Sequence, residues 1–247
     1  MKVNNEWMNI SDLMSGLMMI FLFIAIAFML ETQTEQEEMR ESKVRAEELA
    51  AKLKKTQDSI KEIAVTYRTS QQSLNLDLTN EFQKDLKSWG AEITKDNIVR
   101  FHSPDVLFEI GSSKVSARFQ EILRDFFPRY IAVLTSEKYI NEIDEIRVEG
   151  HTSNDWNNRT SDHAIYLNNM KLSQNRANSV LTYCYGIQHT NIDRKWLEKK
   201  FRANGMSFSK LIYQKNGQPD AIKSRRVEFK VLTNAQEKIY RIVEQLE

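Results

Sequence analysis

The sequence predicts a single N-terminal transmembrane helix, then a helical stalk, then an α+β domain whose mixed sheet carries helices on one face. The run Leu13–Leu30 contains eighteen residues without a charge, which is typical of a membrane span. No glycine occurs between Gly16 and Gly90, and the first proline is Pro104. Nothing therefore interrupts a helix before the domain. From Ile93 onward, short β-branched runs alternate with helical patterns, which indicates an α+β arrangement.

The predicted membrane helix contains one ionisable residue near its start, Asp12. A helix from Trp7 to Leu30 is about 36 Å long, which is enough to span a bilayer with some tilt. Asp12 then lies about a turn and a half inside the helix. An ionisable side chain in that position indicates an ion or proton site that faces a partner helix or a wet cavity. The alternative is an interfacial position stabilised by the positive end of the helix dipole.

The sequence around the apolar run argues against a cleaved signal peptide. The preceding residues are not strongly basic, the run is long, and no A-x-A cleavage site follows it. Asp12, Ser15 and Gly16 form a stripe at i, i+3 and i+4, which permits close helix packing. The charges that flank the span do not determine its orientation.

Residues 31–92 are predicted to form a helical stalk because they are charged and rich in helix formers. One set of positions recurs every seven residues: Met39, Ala46, Leu53, Ile60 and Tyr67. The second set is half polar: Ser42, Leu49, Thr56 and Ile63. This weak heptad favours a stalk that pairs in a dimer, with a solvated single helix or a flexible tether as the alternative. The stalk ends in an amphipathic helix predicted over Leu74–Trp89.

The domain is predicted from residue 93 to residue 235, with a C-terminal helix over 236–247. The predicted strand or hairpin pieces are Asn97–Phe101, Asp105–Ile110, Glu145–Gly150, Phe201–Ala203 and Arg225–Leu232. The predicted helices are Ser116–Leu134 and Lys171–Tyr185. Cys184 is expected to be buried in the second of these helices.

The composition excludes several classes of function. The net charge of +1 shows no basic excess, so no direct nucleic-acid binding is expected. The single cysteine cannot form an intramolecular disulfide. The remaining candidates for chemistry are His102, His151, His163, His189, Asp162 and Cys184. Their spacing matches no metal or catalytic-triad signature, so the sequence predicts neither an enzyme, nor a resident metal, nor a cofactor.

Five stretches of the domain occur in the order of a known family. They are VLFEIGSSKVS (Val106–Ser116), IRVEGHTS (Ile146–Ser153), NMKLSQNRANSVLTY (Asn169–Tyr183), ANGMSFSKLI (Ala203–Ile212) and SRRVEFKV (Ser224–Val231). This pattern resembles the OmpA-like peptidoglycan-binding domain. The resemblance implies that the domain binds the bacterial cell wall.

The same resemblance implies a set of peptidoglycan-binding residues. Arg176, in the L-S-x-x-R-A motif, is expected to hold the carboxylate of diaminopimelate, because a guanidinium pairs with a carboxylate in bidentate fashion. Ser153 replaces the acidic residue of the family's G-H-T-D motif, and Asp155 is the candidate substitute two residues later. Thr152 and Asn169 complete the predicted site. Asn169 is expected to fix the loop.

The membrane segment W-x-x-x-S-D-L-M-S-G-L-M-x-x-F-L is similar to that of MotB-type stator subunits. Among MotB-like proteins it is most similar to the subunits of the Zorya anti-phage defence system. The resemblance implies that Asp12 carries a translocated H⁺ or Na⁺. It also implies a homodimer and a multi-span membrane partner of the MotA or ZorA type. A flagellar-type stator subunit and a passive tether between membrane and cell wall are the alternatives.

The resemblance also implies a location and a set of boundaries. We expect a single-pass protein of the bacterial inner membrane with a cytoplasmic N-terminus and a periplasmic C-terminal domain. Residues 1–12 would then form the cytoplasmic tail and the start of the helix, and residues 13–30 the core of the transmembrane helix.

Overall fold

The chain begins with one uninterrupted helix, α1 (Asn4–Phe82). The computed structural model describes residues 4–102, 104–109, 112–154, 161–187 and 194–234. Up to Ile60 the chain belongs to a first unit, and from Lys61 it belongs to a second unit. The length of α1 agrees with the lack of proline and the near lack of glycine in this stretch, since these residues break helices most strongly.

The first unit exposes the apolar side chains of α1. Within the part of the chain that the structure describes, α1 is the one helix long and apolar enough to cross a membrane. None of the residues in its most apolar stretch of 18 residues is buried. The structure therefore confirms the long apolar helix at the N-terminus, whose exposed side chains suit a lipid environment.

The stalk part of the first unit also has an exposed surface. Two ion pairs of i,i+4 spacing lie along it, Lys43–Glu47 at 4.0 Å and Arg45–Glu41 at 3.6 Å. Exposed pairs of this kind contribute little to stability. The heptad residues Leu49 and Leu53, like most apolar side chains of this unit, are exposed.

The second unit begins with the end of α1, which is buried in the domain. Leu74, Leu78 and Phe82 are buried on one side of the helix, as the amphipathic pattern predicts. A turn at residues 83–85 separates α1 from a short helix, α2 (Leu86–Trp89). The sequence predicts one continuous helix over Leu74–Trp89, and this prediction is wrong at the turn.

The sheet has five strands. They are β1 (Ala91–Ile93), β2 (Ile98–Phe101), β3 (Ile143–His151), β4 (Phe201–Gly205) and β5 (Arg226–Thr233). Their order in space is β1-β2-β5-β3-β4. The β3–β4 pair is parallel and the other pairs are antiparallel. The predicted mixed sheet is therefore confirmed.

Five further helices accompany the sheet in the described residues. They are α3 (Pro104–Leu107), α4 (Ala117–Leu134), α5 (Asp162–Gly186), α6 (Arg194–Lys200) and α7 (Ala221–Ser224). Ser116 caps α4, because its side chain accepts a hydrogen bond from the Phe119 amide at 3.0 Å. The predicted position of Cys184 is confirmed, since it is buried in α5.

The hydrophobic core lies on one face of the sheet. Phe126 of α4 packs against Phe101 of β2 and Phe229 of β5, with ring centroids 5.1 Å and 5.0 Å apart. These edge-to-face contacts are a favourable geometry for aromatic rings. Helix α5 packs on the same face, where Ala177 is buried. The opposite face of the sheet carries charged side chains, among them Arg100, Arg226 and Glu228.

Helix α5 lies unusually close to β3 and β4 because glycines occupy the contact points. A Cβ atom on Gly150 would lie 2.3 Å from the carbonyl oxygen of Ser173. A Cβ atom on Gly205 would lie 2.6 Å from the backbone nitrogen of Gln174. Both neighbours are backbone atoms and cannot move aside as a flexible side chain can. These two glycines therefore fix the separation between helix and sheet.

The fold also corrects the sequence expectation for residues 105–110. The pattern predicts a strand or hairpin piece there, but α3 occupies the start of this stretch and Phe108 forms an isolated bridge with Val115. Pro104 is the signal for the helix, because proline favours the first helical position. The C-terminal helix predicted over 236–247 lies outside the described residues.

The sequence predicts that helix α5 begins at Lys171, but the helix begins at Asp162. Ser161 is its N-cap and accepts a hydrogen bond from the Ala164 amide at 3.4 Å. A serine followed by an acidic residue in the first turn is a helix-start signal that outweighs the polar character of the following residues.

The close contact between α5 and the sheet gives a stability prediction. Gly150→Ala is expected to lower the free energy of unfolding by at least about 1–3 kcal/mol, because the new methyl group overlaps backbone atoms. Gly186→Ala is the matched control, since nothing lies within 4 Å of its Cβ position. It is expected to raise the free energy of unfolding by about 0.4–1 kcal/mol. Urea titration of the full chain in detergent, followed by tryptophan fluorescence, measures both. Equal stability of the two variants would contradict the packing described.

Candidate functional site

One face of α5 carries three buried polar side chains. Asn169, Ser173 and Arg176 are spaced by four and three residues, so they lie on the same side of the helix. All three are buried. Buried polar groups are normally paired, so their partners show what this face is built to do.

Arg176 has a positioned guanidinium without a counter-charge. Its Nε donates a hydrogen bond to the Ser112 carbonyl at 3.1 Å, and its guanidinium carbon lies 4.8 Å from the ring centroid of Phe108. The residue is only 8% exposed. Among the ion pairs of the described residues, none includes Arg176. Burial, and then repulsion from Arg225, lowers the pKa of Arg176 below its usual value.

The end of β3 is tied to α5 through Ser207. The Ser207 amide donates a hydrogen bond to Ser173 Oγ at 3.0 Å, and its carbonyl accepts one from the Thr152 amide at 2.9 Å. Thr152 and Ser153 are both buried. Thr152 Oγ1 has no hydrogen-bond partner among the described residues. The structure thus links Thr152, through Ser207, to the helix face that carries Arg176 and Asn169, and Ser153 is the next residue in the chain.

The remaining predicted site residues behave differently. Asn169 Nδ2 donates to the Ile165 carbonyl of its own helix at 3.1 Å. This contact occupies one amide hydrogen and fixes the side chain on α5. Asp155, the candidate substitute for the acidic residue, lies outside the described residues.

This face is suited to an anionic ligand. An arginine that is buried without a carboxylate has lost its hydration without gaining an ion pair, which is unfavourable until an anion binds. Its planar guanidinium fits a carboxylate. The sequence motif points to Arg176, but it does not reveal the contacts with Ser112 and Phe108 or the link through Ser207. These come from loops whose course depends on tertiary packing.

A second polar cluster lies on the sheet face opposite the core. Glu149 of β3 is the cross-strand partner of Glu228 of β5, and His151 is the partner of Arg226 in the next row. His151 Nε2 lies 3.6 Å from Glu149 Oε2 and 3.5 Å from Glu228 Oε2. Glu228 Oε1 accepts hydrogen bonds from Arg226 Nε at 2.6 Å and Arg100 Nε at 2.7 Å.

The electrostatics of this cluster favour ionised carboxylates. Burial alone would raise the pKa of Glu228, but His151 and Arg226 hold that pKa well below its usual range. Burial has the same opposing effect at Glu149, where His151 and Lys210 lower the pKa. The sequence does not bring these residues together, because they come from two strands that are distant along the chain. The available signal was the alternation in V-E-G-H and R-V-E, which places the polar residues of both strands on one face.

Asp12 lies on α1, in the first unit. Its side chain is exposed in the isolated chain, as are the apolar side chains that follow it. The hydroxyl of Ser15 donates to the Ser11 carbonyl at 2.8 Å, so it is satisfied within the helix. The stripe of Asp12, Ser15 and Gly16 is thus available to a neighbouring helix.

Comparisons with known proteins match the domain and nearly the whole chain. Residues 107–226 match the family model described as OmpA family. The chain is 43% identical over 243 residues to the Zorya protein ZorB of Escherichia coli strain Crooks. That alignment covers 98% of this chain and 94% of the relative.

Several solved structures are similar to part of this chain. The cell wall anchor of the T6SS from Pseudomonas aeruginosa is 23% identical, with a TM-score of 0.43 and coverage of 63% of this chain and 96% of that chain. The periplasmic domain of Helicobacter pylori MotB is 17% identical, with a TM-score of 0.44 and coverage of 63% and 97%. A putative MotB-like protein from Desulfovibrio vulgaris is 19% identical, with a TM-score of 0.46 and coverage of 70% and 94%.

Proposed function

The chain belongs to the family of the Zorya protein ZorB, and we propose from this premise that it is the MotB-like subunit of an ion-driven motor in anti-phage defence. The observation that carries the proposal is the presence, in one chain, of two charged groups that need an external partner. One is the carboxylate of Asp12 beside a long uncharged run, and the other is the buried, unpaired guanidinium of Arg176. The identity of 43% to a Zorya protein favours defence over the flagellar alternative.

The apolar helix and the OmpA-type domain fit a single-pass protein of the inner membrane. We place the N-terminus in the cytoplasm, because a domain that binds peptidoglycan must lie in the periplasm. The domain would hold the complex to the cell wall. Its role is binding and anchoring, and no step of the proposed function requires catalysis by this chain.

Asp12 is proposed to carry the translocated ion, H⁺ or Na⁺. A charged carboxylate is unfavourable against apolar surface, and a bound proton or sodium ion neutralises it. A cycle of neutralisation and release would let the helix alternate between two arrangements against its partner. The multi-span partner, of the ZorA or MotA type, would complete the ion path. Because the wall holds this subunit, ion flow would move the partner.

Arg176 is proposed to bind the carboxylate of diaminopimelate in peptidoglycan. The contacts with Ser112 and Phe108 fix the side chain, so little rotamer entropy is lost when the ligand binds. Thr152 and Ser153 are proposed to contribute hydroxyl groups beside it. Thr152 Oγ1, which lacks a partner in the described residues, supports this assignment.

A second copy of the chain is proposed to pair with the first along the stalk. The supporting observation is that the heptad residues Leu49, Leu53 and Ile60 are exposed in a single chain. Two copies would supply one membrane helix each to the ion path.

The wall-binding proposal predicts a specific loss of affinity. Arg176→Met is expected to reduce binding of the full chain to peptidoglycan sacculi about tenfold to a hundredfold, since a charge-assisted hydrogen bond contributes about 1.5–3 kcal/mol. The free energy of unfolding is expected to stay equal or rise, because a buried charge without a carboxylate is removed. Co-sedimentation in detergent measures binding, and urea titration measures stability.

Arg118→Met is the matched control for that experiment. Arg118 lies on α4, is 57% exposed, and pairs with Glu121 at 3.2 Å. It removes the same charge and is expected to leave binding unchanged. If the wild-type chain does not sediment with sacculi, or if Arg176→Met binds as tightly as wild type, the wall-binding proposal is wrong.

The ion-carrier proposal predicts that Asp12→Asn inserts and assembles normally but abolishes phage protection. Asparagine keeps the size of the side chain and removes its titratable group. Asp58→Asn, the same change at an exposed stalk position, is expected to be silent. If the protein is only a passive tether, Asp12 does no more than stabilise the start of the helix through the helix dipole. That interaction contributes about 0.3–1 kcal/mol, so Asp12→Asn would then also be nearly silent. Plating efficiency of phage, with protein level checked by blot, separates the two.

The pairing of stalks predicts cross-links in membranes. Single cysteines at Leu49, Leu53 and Ile60, in a Cys184→Ser background, are expected to form disulfides between copies because these positions would face each other. Cysteines at Glu48 and Lys52 are the out-of-register controls. Equal cross-linking at both sets, read on a non-reducing gel, would indicate a disordered tether instead.

A further inference from the structure

We propose that Glu149, His151 and Glu228 form a binding site for a divalent transition-metal ion, with Zn²⁺ the best match to the donor set. The three residues lie on the sheet face opposite the hydrophobic core, on the neighbouring strands β3 and β5. The site is separate from the proposed wall-binding and ion-carrying residues. Its proposed role is structural, because it would link the two strands beside the point where β3 leads into Thr152 and Ser153.

The spacing of the three donor atoms fits a tetrahedral metal ion. His151 Nε2 lies 3.5 Å and 3.6 Å from one oxygen of Glu228 and one of Glu149, and all three atoms lie within 4.8 Å of one another. Zinc binds histidine nitrogen and carboxylate oxygen at about 2.0–2.2 Å. Two ligands of a tetrahedral ion are then roughly 3.3–3.5 Å apart. Shifts of the two carboxylates would bring the three donor atoms to these separations around one ion, and the fourth position would be open to a water molecule.

Two of the three donor atoms, on His151 and Glu149, are buried and have no hydrogen-bond partner among the described residues. His151 is 1% exposed, and neither of its ring nitrogens has a hydrogen-bond partner among the described residues. The same holds for Glu149 Oε2. The distances from His151 Nε2 to the two carboxylate oxygens exceed the length of an ordinary N–H···O hydrogen bond, which is about 2.7–3.2 Å. Several unpartnered polar atoms at one buried point are a recognised sign of a bound ion or water.

The backbone register places two negative charges side by side. Glu149 and Glu228 are direct cross-strand partners, and like charges in that relation are destabilising unless a cation lies between them. Arg100 and Arg226 neutralise Glu228, but both bind its Oε1. Its Oε2 therefore remains directed toward His151. The two arginines would hold this carboxylate in its orientation toward the ion through their hydrogen bonds to its other oxygen.

Lys210 offers a route of entry to the site. Its ammonium lies 3.8 Å from Glu149 Oε2, and its side chain is 50% exposed. A lysine at this distance makes only a weak ion pair and can swing into solvent when a divalent ion binds. The mixed nitrogen and oxygen donors argue against Ca²⁺ and Mg²⁺, which prefer six or more oxygen ligands. They suit Zn²⁺ and its first-row neighbours.

The test measures metal binding to the full chain in detergent after treatment with a chelator. Titration with ZnCl₂ against a chromophoric chelator is expected to show one tightly bound equivalent. The melting temperature is expected to rise by about 5–10 °C when free Zn²⁺ exceeds the dissociation constant roughly a hundredfold. CaCl₂ is expected to have no comparable effect.

His151→Gln is expected to lose the bound equivalent and the rise in melting temperature. His102→Gln is the matched control, since His102 Nε2 lies 3.2 Å from the single carboxylate of Glu92 on the same sheet face. It is expected to bind Zn²⁺ as wild type does. If wild type binds no stoichiometric Zn²⁺, or if His151→Gln binds it as tightly, the proposal is overturned.

A spectroscopic measurement decides the case in which His151→Gln does not fold. Co²⁺ added to the metal-stripped wild-type chain is expected to give the visible absorption of a tetrahedral site. Glu149→Gln, which keeps the size of the side chain, is expected to weaken or abolish that absorption. No visible band in the wild type, or an unchanged band in Glu149→Gln, would rule out the site.

Discussion

Helix α5 lies so close to strands β3 and β4 that only glycine fits at two positions of the sheet. Gly150 and Gly205 meet backbone atoms of Ser173 and Gln174, and this contact fixes how α5 is rotated against the sheet. Because α5 carries Arg176 three residues after Ser173, the same contact determines where the guanidinium lies. The wall-binding candidate therefore depends on a steric constraint in the core more than on any loop, which is the rigid support that a binding site needs.

Successive side chains of a strand point to opposite faces of the sheet, so one face is apolar and the other is charged. One face of β5 carries apolar side chains such as Phe229, which pack against α4. The other face carries Arg226 and Glu228, which are buried and paired. A buried ion pair contributes little net stability, but removing one partner is strongly unfavourable. The charged face thus specifies the register of β2, β5 and β3, since a one-residue slip would place these charges in the apolar core.

The sequence alone predicts the parts of this structure that depend on local patterns. The helix through α1, the mixed sheet, and the burial of Leu74 and Cys184 follow from periodicity and composition. The start of α5 at Asp162 lies before the predicted start at Lys171, because the stretch before Lys171 is rich in polar residues and lacks the apolar helical periodicity, although Ser161 is an N-cap signal. The contact of Arg176 with Ser112, and the meeting of Glu149 with Glu228, could not be predicted. They join distant segments, and their geometry arises only when the sheet and helix pack.

Asp12 and Arg176 are both charged groups that face an apolar environment without a counter-charge from the described residues. A carboxylate beside a long apolar run is unfavourable in lipid, and a buried guanidinium without a carboxylate is unfavourable in protein. Each problem is relieved only by a group from outside the chain, an ion with a partner helix in one case and an anionic ligand in the other. A passive tether needs a binding group at the wall but no ionisable group in its membrane helix. The proposed motor function requires both groups, and under that proposal the ion-carrying step lies at Asp12.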